Sequence, residues 1–208
     1  MQKKISNIIF DFGGVILDIN PGLTEQAFHN LGLPNFNELY TLANQVDLFD
    51  YLEKGLISPN HFYSEIRKIS GLDISDKQIM DAWNSMLLDI PPERVELLLN
   101  LKSRYRTFLL SNTNQIHYEY YSDNFQKVYG YCGLSDLFEK DYYSFMINMR
   151  KPDVEIFEYV LNDMNLKPEE TIFIDDAPVN IEAAIKTGID ARLLPKGTSL
   201  NEFIRFLI

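Results

Sequence analysis

Four short apolar runs, each ending at a polar residue or a proline, constrain the fold of this chain more than any other feature. They are Ile5–Phe10, Thr107–Leu110, Thr171–Ile174 and Ala191–Leu194. Each run is too short for a buried helix and lacks the alternation of apolar and polar residues that marks a strand with one solvent-exposed face. Such runs are typical of parallel strands that are covered on both sides. The sequence therefore predicts an α/β fold.

Helical patterns precede the second, third and fourth runs. Pro91–Arg104 ends on basic residues, Pro152–Met164 has a proline at its first helical position, and Pro178–Thr187 is followed by Gly188 as a C-terminal cap. Strands that alternate with helices in this way form a doubly wound, Rossmann-like parallel sheet.

Residues 18–90 interrupt this alternation, because they contain helical patterns and no strand pattern. The predicted helices lie around Leu23–Leu31, Asn37–Val46, Pro59–Ile69 and Ser75–Leu87, with Ser58 as an N-cap before Pro59. We therefore predict a Rossmann-like core formed by residues 1–17 and 91–208 and a helical cap formed by residues 18–90. A cap that leaves from the carboxyl end of the first strand would lie over the edge where open α/β sheets bind ligands.

The composition excludes some partners. The net charge of −11 repels nucleic acid and anionic membranes, so we expect the chain to bind neither. No apolar run approaches the roughly 20 residues that span a bilayer, and the first apolar stretch is too short for a signal peptide, so we expect a cytoplasmic protein. Cys132 is the only cysteine, which excludes an internal disulfide or a cysteine-rich zinc site. The oligomeric state is left open.

Polar side chains stand at or just beyond the predicted strand ends. Asp11 follows the first run, Ser111 the second, and Asp175 with Asp176 the third, while Lys151 in the segment MRKPD is expected at a further strand end. Because the carboxyl ends of parallel strands share one edge of a sheet, we expect these groups to meet there. Each alone is weak evidence, since aspartates at strand ends commonly cap loops, but together they supply the parts of a phosphoryl-transfer site.

Phosphoryl transfer depends mainly on positioning and on the neutralisation of charge. Carboxylates from two strands can bind Mg²⁺, which prefers oxygen ligands, and one carboxylate can attack phosphorus to form an aspartyl-phosphate. A serine hydroxyl, loop amides and a lysine ammonium can bind the phosphate oxygens. Gly13 and Gly14 would let the loop after the first strand approach the metal and the phosphate closely.

These motifs, together with the segment FDYLEKGLIS of the predicted cap, resemble the haloacid dehalogenase superfamily in its branch with a helical cap after the first motif. The resemblance implies that Asp11 is the nucleophile and a metal ligand. It implies that Ser111 and Asn112 bind the substrate phosphate. Lys151 would hold both that phosphate and the carboxylate of the nucleophile.

For the metal, the resemblance implies Mg²⁺ bound by Asp11, directly by Asp176, by Asp175 in a supporting role, and by the backbone carbonyl of Gly13. Within the superfamily, the wording of the motifs is most similar to that of bacterial phosphatases acting on α-D-glucose 1-phosphate. We therefore expect a small phosphorylated metabolite as substrate, such as a sugar phosphate like glucose 1-phosphate.

Gly13 departs from the family pattern. Phosphatases of this superfamily typically have a second aspartate at that position, which protonates the leaving oxygen and later activates water. General acid–base groups contribute roughly 10²–10⁴-fold, so a weak enzyme is expected unless another group acts. In the predicted cap, Asp47, Asp50 and Glu53 could contact substrate hydroxyls, but we expect them to form a solvated acidic face.

Three other functions compete with a phosphatase. A catalytically impaired phosphate-binding or regulatory protein would explain Gly13 as a sign of decay. A 2-haloacid dehalogenase would use Asp11 to attack carbon, but that chemistry needs no metal and leaves Asp175 and Asp176 without a role. A phosphomutase would require the missing second aspartate. Turnover of a phosphate ester with and without Mg²⁺ separates these functions.

Overall fold

A computed structural model describes residues 4–33, 35, 36, 41, 43 and 47–205. These residues form a five-stranded sheet in the order β3-β2-β1-β4-β5, with parallel pairing throughout. The strands are β1 (Asn7–Phe10), β2 (Arg106–Ser111), β3 (Lys140–Tyr143), β4 (Thr171–Asp175) and β5 (Asp190–Leu193). The predicted α/β fold with a doubly wound parallel sheet is confirmed.

The helices of the described residues follow the strands in the predicted rhythm. They are α1 (Pro21–Asn30), α2 (Leu48–Glu53), α3 (Pro59–Ser70), α4 (Asp76–Asn84), α5 (Pro92–Lys102), α6 (Gln115–Tyr129), α7 (Ser144–Ile147), α8 (Val154–Asp163), α9 (Pro178–Ile185) and α10 (Leu200–Phe203). Side-chain caps begin several of them, since Ser58 accepts from the amide of His61 and Asn114 from that of His117. None of the described helices is long and apolar enough to cross a bilayer.

Helices cover both faces of the sheet. Ile8 and Phe10 of β1 point into one hydrophobic cluster, which includes residues of α5, α6 and α10. Ile9 points into the opposite cluster, with Phe108 of β2 and residues of α8 and α9. Because every residue of such a strand meets a helix layer, the strand needs a continuous apolar run, which is the pattern that predicted it.

Helices α1 to α4, which we call the helical insert, have a hydrophobic cluster of their own. Its buried members include Phe28, Phe62, Ile66 and Ile79. Ile116 at the start of α6 also belongs to it and comes from the rest of the described chain, the sheet with its covering helices, which we call the sheet domain. Phe62 packs against the ring of Trp83 in the same cluster, with ring centroids 5.3 Å apart. The boundaries of the cap at residues 18 and 90 stay a prediction.

Three local differences separate the structure from the sequence-based expectations. β3 carries no apolar run, because it is an edge strand whose first two residues are not buried. α8 begins at Val154 rather than Pro152, because Asp153 has extended backbone dihedral angles. Short helix α2 was not found from the residue pattern, although it overlaps the segment FDYLEKGLIS, which resembles a helix-turn-helix entry of the cap. The predicted helix Asn37–Val46 lies largely outside the described residues.

The turn after α2 fits closely against the segment around α7. Gly55 in that turn has φ +65°, and a side chain there would overlap the backbone carbonyl oxygen of Phe145. Close by, Asn148 Nδ2 donates to the carbonyl oxygen of Lys54 at 2.7 Å. The absence of a side chain at position 55 is therefore a condition for this contact between the helical insert and the sheet domain.

We expect Gly55→Ala to destabilise the protein more than Gly71→Ala. Both glycines have left-handed φ values, +65° and +67°, so both alanines carry a similar backbone cost, of about 1–2 kcal/mol. Only at position 55 does the added methyl group meet another atom, since nothing lies within 4 Å of it at position 71. Urea unfolding followed by circular dichroism measures the difference. Equal free energies of unfolding would contradict the close fit.

Candidate active site

Asp11 stands at the carboxyl edge of the sheet, directly after β1. The register aligns Phe10 with Leu109 of β2 and with Ile174 of β4. The amide of Asp11 continues the ladder by donating to the carbonyl oxygen of Ile174 at 2.9 Å. This register places Asp11 level with the end of β4, where Asp175 is the last residue of the strand and Asp176 comes directly after it. The sheet thus brings together carboxylates that are far apart in sequence.

The ammonium of Lys151 lies between two carboxylates. Its Nζ donates to Asp11 Oδ1 at 2.6 Å and to Asp175 Oδ2 at 2.7 Å, and the Lys151 side chain is 1% exposed. Burial acts to lower the pKa of Lys151, but Asp11 and Asp175 outweigh it and hold that pKa above its ordinary value. The lysine is therefore charged, as its position between two anions requires.

Lys151 does not stand at a strand end, contrary to the expectation from the sequence. It lies in the loop between α7 and α8, and its backbone is fixed from β2. Asn112, the residue after β2, donates through Nδ2 to the carbonyl oxygen of Lys151 at 2.8 Å and accepts from its amide at Oδ1 at 2.9 Å. The Asn112 side chain is thus a positioning group for the lysine, a role that the sequence did not indicate.

Asp175 is fully buried, and hydrogen bonds occupy both of its oxygens. Oδ1 accepts from the amide of Ala177 at 2.7 Å and from Asn180 Nδ2 at 3.1 Å. Oδ2 accepts from Lys151 Nζ at 2.7 Å and from Asn180 Nδ2 at 2.9 Å. The role of Asn180 was missed in the sequence. The only available signal was its place in the first turn of α9, just after the acidic pair.

Asp176 completes a cluster of three carboxylates. One oxygen each from Asp11, Asp175 and Asp176 lie within 4.8 Å of one another. Three carboxylates against the single ammonium of Lys151 leave an excess of negative charge, which a divalent cation with oxygen ligands would neutralise. In this arrangement burial raises the pKa of Asp11 to about 7, against the opposing effect of Lys151. The donor set therefore fits a hard divalent metal ion.

The two glycines of the first loop are not equivalent. Gly14 has φ +78°, and a side chain there would overlap the carboxylate of Asp176. At Gly13 the nearest atoms to an added methyl group are those of the Ile19 side chain, at 3.6 Å, which is ordinary contact. The prediction that glycines allow a close approach is thus supported by the geometry at Gly14, where loop and carboxylate meet.

Ser111 is buried at the end of β2, beside the strand that carries Asp11. The next segment is tied to the end of β3, since Ser144 Oγ accepts from the amide of Thr113 at 2.9 Å and donates to its carbonyl oxygen at 2.8 Å. All of the sequence-predicted site residues therefore lie at one edge of the sheet. Asp11, Lys151, Asp175 and Asp176 form its centre, Ser111 is the last residue of β2, and Gly13 and Asn112 lie in the adjoining loops.

Of the three acidic residues singled out in this part of the cap, Asp50 and Glu53 are paired with a cation, while Asp47 is exposed. Arg150, the neighbour of Lys151, pairs with Asp50, and its Nη2 lies 3.0 Å from Glu53 Oε2. Lys54 lies 3.5 Å from Asp153 across the same junction. Arg150 and Lys151 are thus adjacent in one loop but contact different parts of the molecule. Arg150 pairs with the helical insert, whereas Lys151 pairs with the carboxylates of Asp11 and Asp175.

A cavity of about 560 Å³ lies between this edge of the sheet and the helical insert. On the sheet side it is lined by Gly13, by Ser111 at the end of β2 and by the residues that follow it, including Asn112. The insert contributes aromatic walls, among them Phe49 and Trp83, and the carboxyl of Glu53. Such a cavity has room for a small organic group attached to a phosphate bound at the sheet edge.

Residues 5–188 match the family model of haloacid dehalogenase-like hydrolases. The D-ribitol-5-phosphate phosphatase of Bacteroides thetaiotaomicron is 30% identical over 191 residues, which cover 89% of this chain and 90% of that protein. A sesquiterpene phosphatase of Aspergillus oryzae is 27% identical over 190 residues, which cover 87% of this chain and 85% of that protein.

A comparison with solved structures leads to the same family. A haloacid dehalogenase family enzyme of Bacteroides thetaiotaomicron, in complex with magnesium and inorganic phosphate, superposes with a TM-score of 0.88 and 38% identity. The alignment covers 97% of this chain and 100% of that one. The family named by the motifs is thus confirmed, while the finer similarity to phosphatases of glucose 1-phosphate stays a prediction.

We expect Gly14→Ala to weaken metal binding and Gly13→Ala to preserve it. Alanine at position 14 combines a left-handed φ with an overlap on Asp176, so it should lower the free energy of unfolding by more than about 1 kcal/mol and displace a metal ligand. Thermal unfolding with and without MgCl₂ tests this, because a ligand that binds the folded state raises Tm. An equal rise in Tm for both variants would contradict the role of Gly14.

Proposed function

Because the chain belongs to the haloacid dehalogenase-like hydrolase family, we propose that it removes phosphate from a small sugar or polyol phosphate, with Mg²⁺ as cofactor and Asp11 as nucleophile. The chain is a phosphoric monoester hydrolase of that family. The observation that carries the proposal is the Asp11 carboxylate held by a buried lysine within a cluster of three carboxylates.

Asp11 attacks phosphorus through a carboxylate oxygen, and the product of this step is an aspartyl-phosphate. Its Oδ1 is engaged by Lys151 at 2.6 Å, which fixes the orientation of the carboxylate. The same ammonium offsets the repulsion between this carboxylate and an incoming phosphate dianion. Lys151 is thereby both a positioning group for the nucleophile and a ligand of the phosphate.

Asp11, Asp176 and the backbone carbonyl of Gly13 would hold the Mg²⁺, with Asp175 in a supporting role. We base the division between the two neighbouring aspartates on their contacts. Asp175 is fully buried and already accepts from Lys151, Ala177 and Asn180, whereas Asp176 is exposed. Mg²⁺ supplies neutralisation of the charge on the phosphate oxygens and alignment with the nucleophile.

Ser111 and Asn112 provide the remaining phosphate contacts. Within the described part of the chain, Ser111 Oγ makes a single, long hydrogen bond of 3.4 Å to the carbonyl oxygen of Asn112, so its hydroxyl can turn toward a phosphate oxygen. The side chain of Asn112 is occupied by the backbone of Lys151. The amide N–H of Asn112 is therefore the group that would meet the phosphate.

The substrate class rests on the cavity and on the relatives. A polyol phosphatase covers nearly the whole chain at 30% identity, and the aromatic walls and polar groups of the cavity suit a sugar or polyol group. Ribitol 5-phosphate and glucose 1-phosphate are the first compounds to assay. Detection of free phosphate across a panel of phosphorylated metabolites identifies the preferred one.

Replacement of the nucleophile gives the first test. Asp11→Asn removes the attacking carboxylate with almost no change of volume, so turnover of p-nitrophenyl phosphate should fall by more than about 10²-fold while the circular dichroism spectrum is retained. Turnover close to that of the wild type would exclude Asp11 as nucleophile. A wild-type protein that binds phosphate but turns over no ester would instead be a phosphate-binding protein.

Removal of the metal gives the second test. EDTA should abolish turnover and added Mg²⁺ should restore it. Asp176→Ala should raise the Mg²⁺ concentration for half-maximal activity by at least about tenfold, because it deletes a ligand. Glu182→Ala, which removes an exposed carboxylate of α9, is the matched control and should leave that concentration unchanged. Full activity in EDTA would refute the metal requirement.

A further inference from the structure

The leaving oxygen of a phosphate ester needs a proton, and the loop after β1 offers no group that gives one. Expulsion of an unprotonated alkoxide is slow, and a general acid accelerates such steps by roughly 10²–10⁴-fold. Gly13 lines the cavity beside the nucleophile but has no side chain. The donor therefore has to be sought on the opposite wall, where the leaving group lies.

Among the described residues, four titratable side chains line the cavity, namely Glu25, Glu53, His117 and Tyr121. Burial lowers the pKa of His117 to about 3, so its ring is neutral and is a poor acid. Burial raises the pKa of Tyr121 far above its ordinary value, which keeps its proton in place. Glu25 lies on the exposed side of α1. Glu53 is the remaining candidate.

Glu53 has the properties of a carboxyl group that exchanges a proton near neutral pH. Burial raises its pKa to about 7, against the opposing effect of the Lys151 ammonium. Its Oε2 is buried and accepts no hydrogen bond from any of the described residues. Both forms of such a group are populated at neutral pH, so it can give a proton in one step and take one in the next.

On the basis of the phosphatase function proposed above, we propose that Glu53 of the helical insert is the general acid and base of the reaction. In the first step an Asp11 oxygen bonds to phosphorus, the bond from phosphorus to the ester oxygen breaks, and that oxygen takes the Glu53 proton. In the second step the Glu53 carboxylate takes a proton from water, the water oxygen bonds to phosphorus, and the bond to Asp11 breaks. The products are an alcohol and inorganic phosphate, and Glu53 is protonated again.

Two cations of the loop before α8, Arg150 and Lys151, act on the Glu53 carboxyl. Around them, Asp50 pairs with Arg150, Lys54 pairs with Asp153, and Glu25 lines the same cavity. Arg150 Nη2 lies 3.0 Å from Oε2 without hydrogen-bond geometry, and the same guanidinium pairs with Asp50. The Arg150 charge is thus shared between two carboxylates, and it stabilises the Glu53 carboxylate once the proton has left.

The test compares leaving groups in the wild type and in Glu53→Gln, which preserves volume and removes the exchangeable proton. The probes are aryl phosphates from p-nitrophenyl to phenyl phosphate, and the measured quantity is kcat/KM, which reports phosphorylation of Asp11. The wild type should depend weakly on leaving-group pKa. Glu53→Gln should lose roughly 10²-fold or more with phenyl phosphate and much less with p-nitrophenyl phosphate.

The control is Asp50→Asn, which disturbs the same Arg150 contact but leaves the Glu53 carboxyl in place. Its dependence on leaving-group pKa should match that of the wild type. If Glu53 only docks the helical insert, Glu53→Gln and Asp50→Asn will lower kcat/KM by the same factor for every probe, and the proposal is wrong.

Two further measurements use the second step and the unmodified protein. Glu53→Gln should release a burst of p-nitrophenolate equal to the enzyme concentration, because water activation is slow while the first step proceeds.

In the wild type, kcat/KM for phenyl phosphate should fall as pH rises through about 7, since the acid form of Glu53 is lost. The kcat/KM for p-nitrophenyl phosphate should not fall in this way. A common pH profile for both probes would overturn the proposal even if the variant did not fold. If the wild type hydrolyses no aryl phosphate, the phosphatase function itself fails, which is a different outcome.

Discussion

The buried ammonium of Lys151, between the carboxylates of Asp11 and Asp175, is the interaction on which the rest of the site depends. A buried charge with one partner removed costs about 3–5 kcal/mol, so all three groups must be held in place together. The structure does this from three elements. Asn112 fixes the Lys151 backbone, Asn180 and the Ala177 amide saturate Asp175, and the ladder between β1 and β4 fixes Asp11.

The loop that carries Lys151 also connects the site to the helical insert. Arg150 pairs with α2 while Lys151 faces the nucleophile, and Gly55 lets the turn after α2 approach α7. A second contact runs through α6, where His117 Nδ1 lies 2.9 Å from Asn84 Oδ1 and the ring stacks on Trp83. The segments that position the phosphate ligands are therefore the segments on which the insert rests. Position of the insert and geometry of the phosphate site are coupled through these shared loops.

Much of the fold could be predicted from the sequence, because its physical cause is local. The runs that became β1, β2 and β4 are buried on both faces, as strands between two helix layers must be. β5 is an edge strand without a buried residue, and its run was recognisable because it continues to the buried Leu194. β3 could not be found this way, because an edge strand with the sequence KDYY has no such run. The positions of Asp11, Ser111 and the acidic pair followed from the strand ends, and Lys151 from its motif.

The rest of the site depends on contacts between residues that are distant in sequence. Asn180 and Asn112 are ordinary polar residues until the fold places one against Asp175 and the other against the Lys151 backbone. Likewise, nothing in the segment FDYLEKGLIS separates a solvated Glu53 from a buried one. Only the packing of α2 over the sheet edge buries its Oε2 and raises the pKa of Glu53 to about 7. The sequence pattern thus identified the reactive groups at the strand ends. The residues that surround those groups are determined by tertiary packing and could not be predicted from the sequence.

Formation of a phosphoryl bond on Asp11 can be observed directly. Wild-type protein mixed with ³²P-labelled substrate and Mg²⁺, then quenched in acid within the first turnover, should carry the label on the peptide that contains Asp11. Hydroxylamine should release that label, as expected for an acyl phosphate, and Asp11→Asn should not be labelled. Label on a different residue, or full turnover without any labelled protein when Glu53→Gln is used to slow the second step, would contradict nucleophilic attack by Asp11.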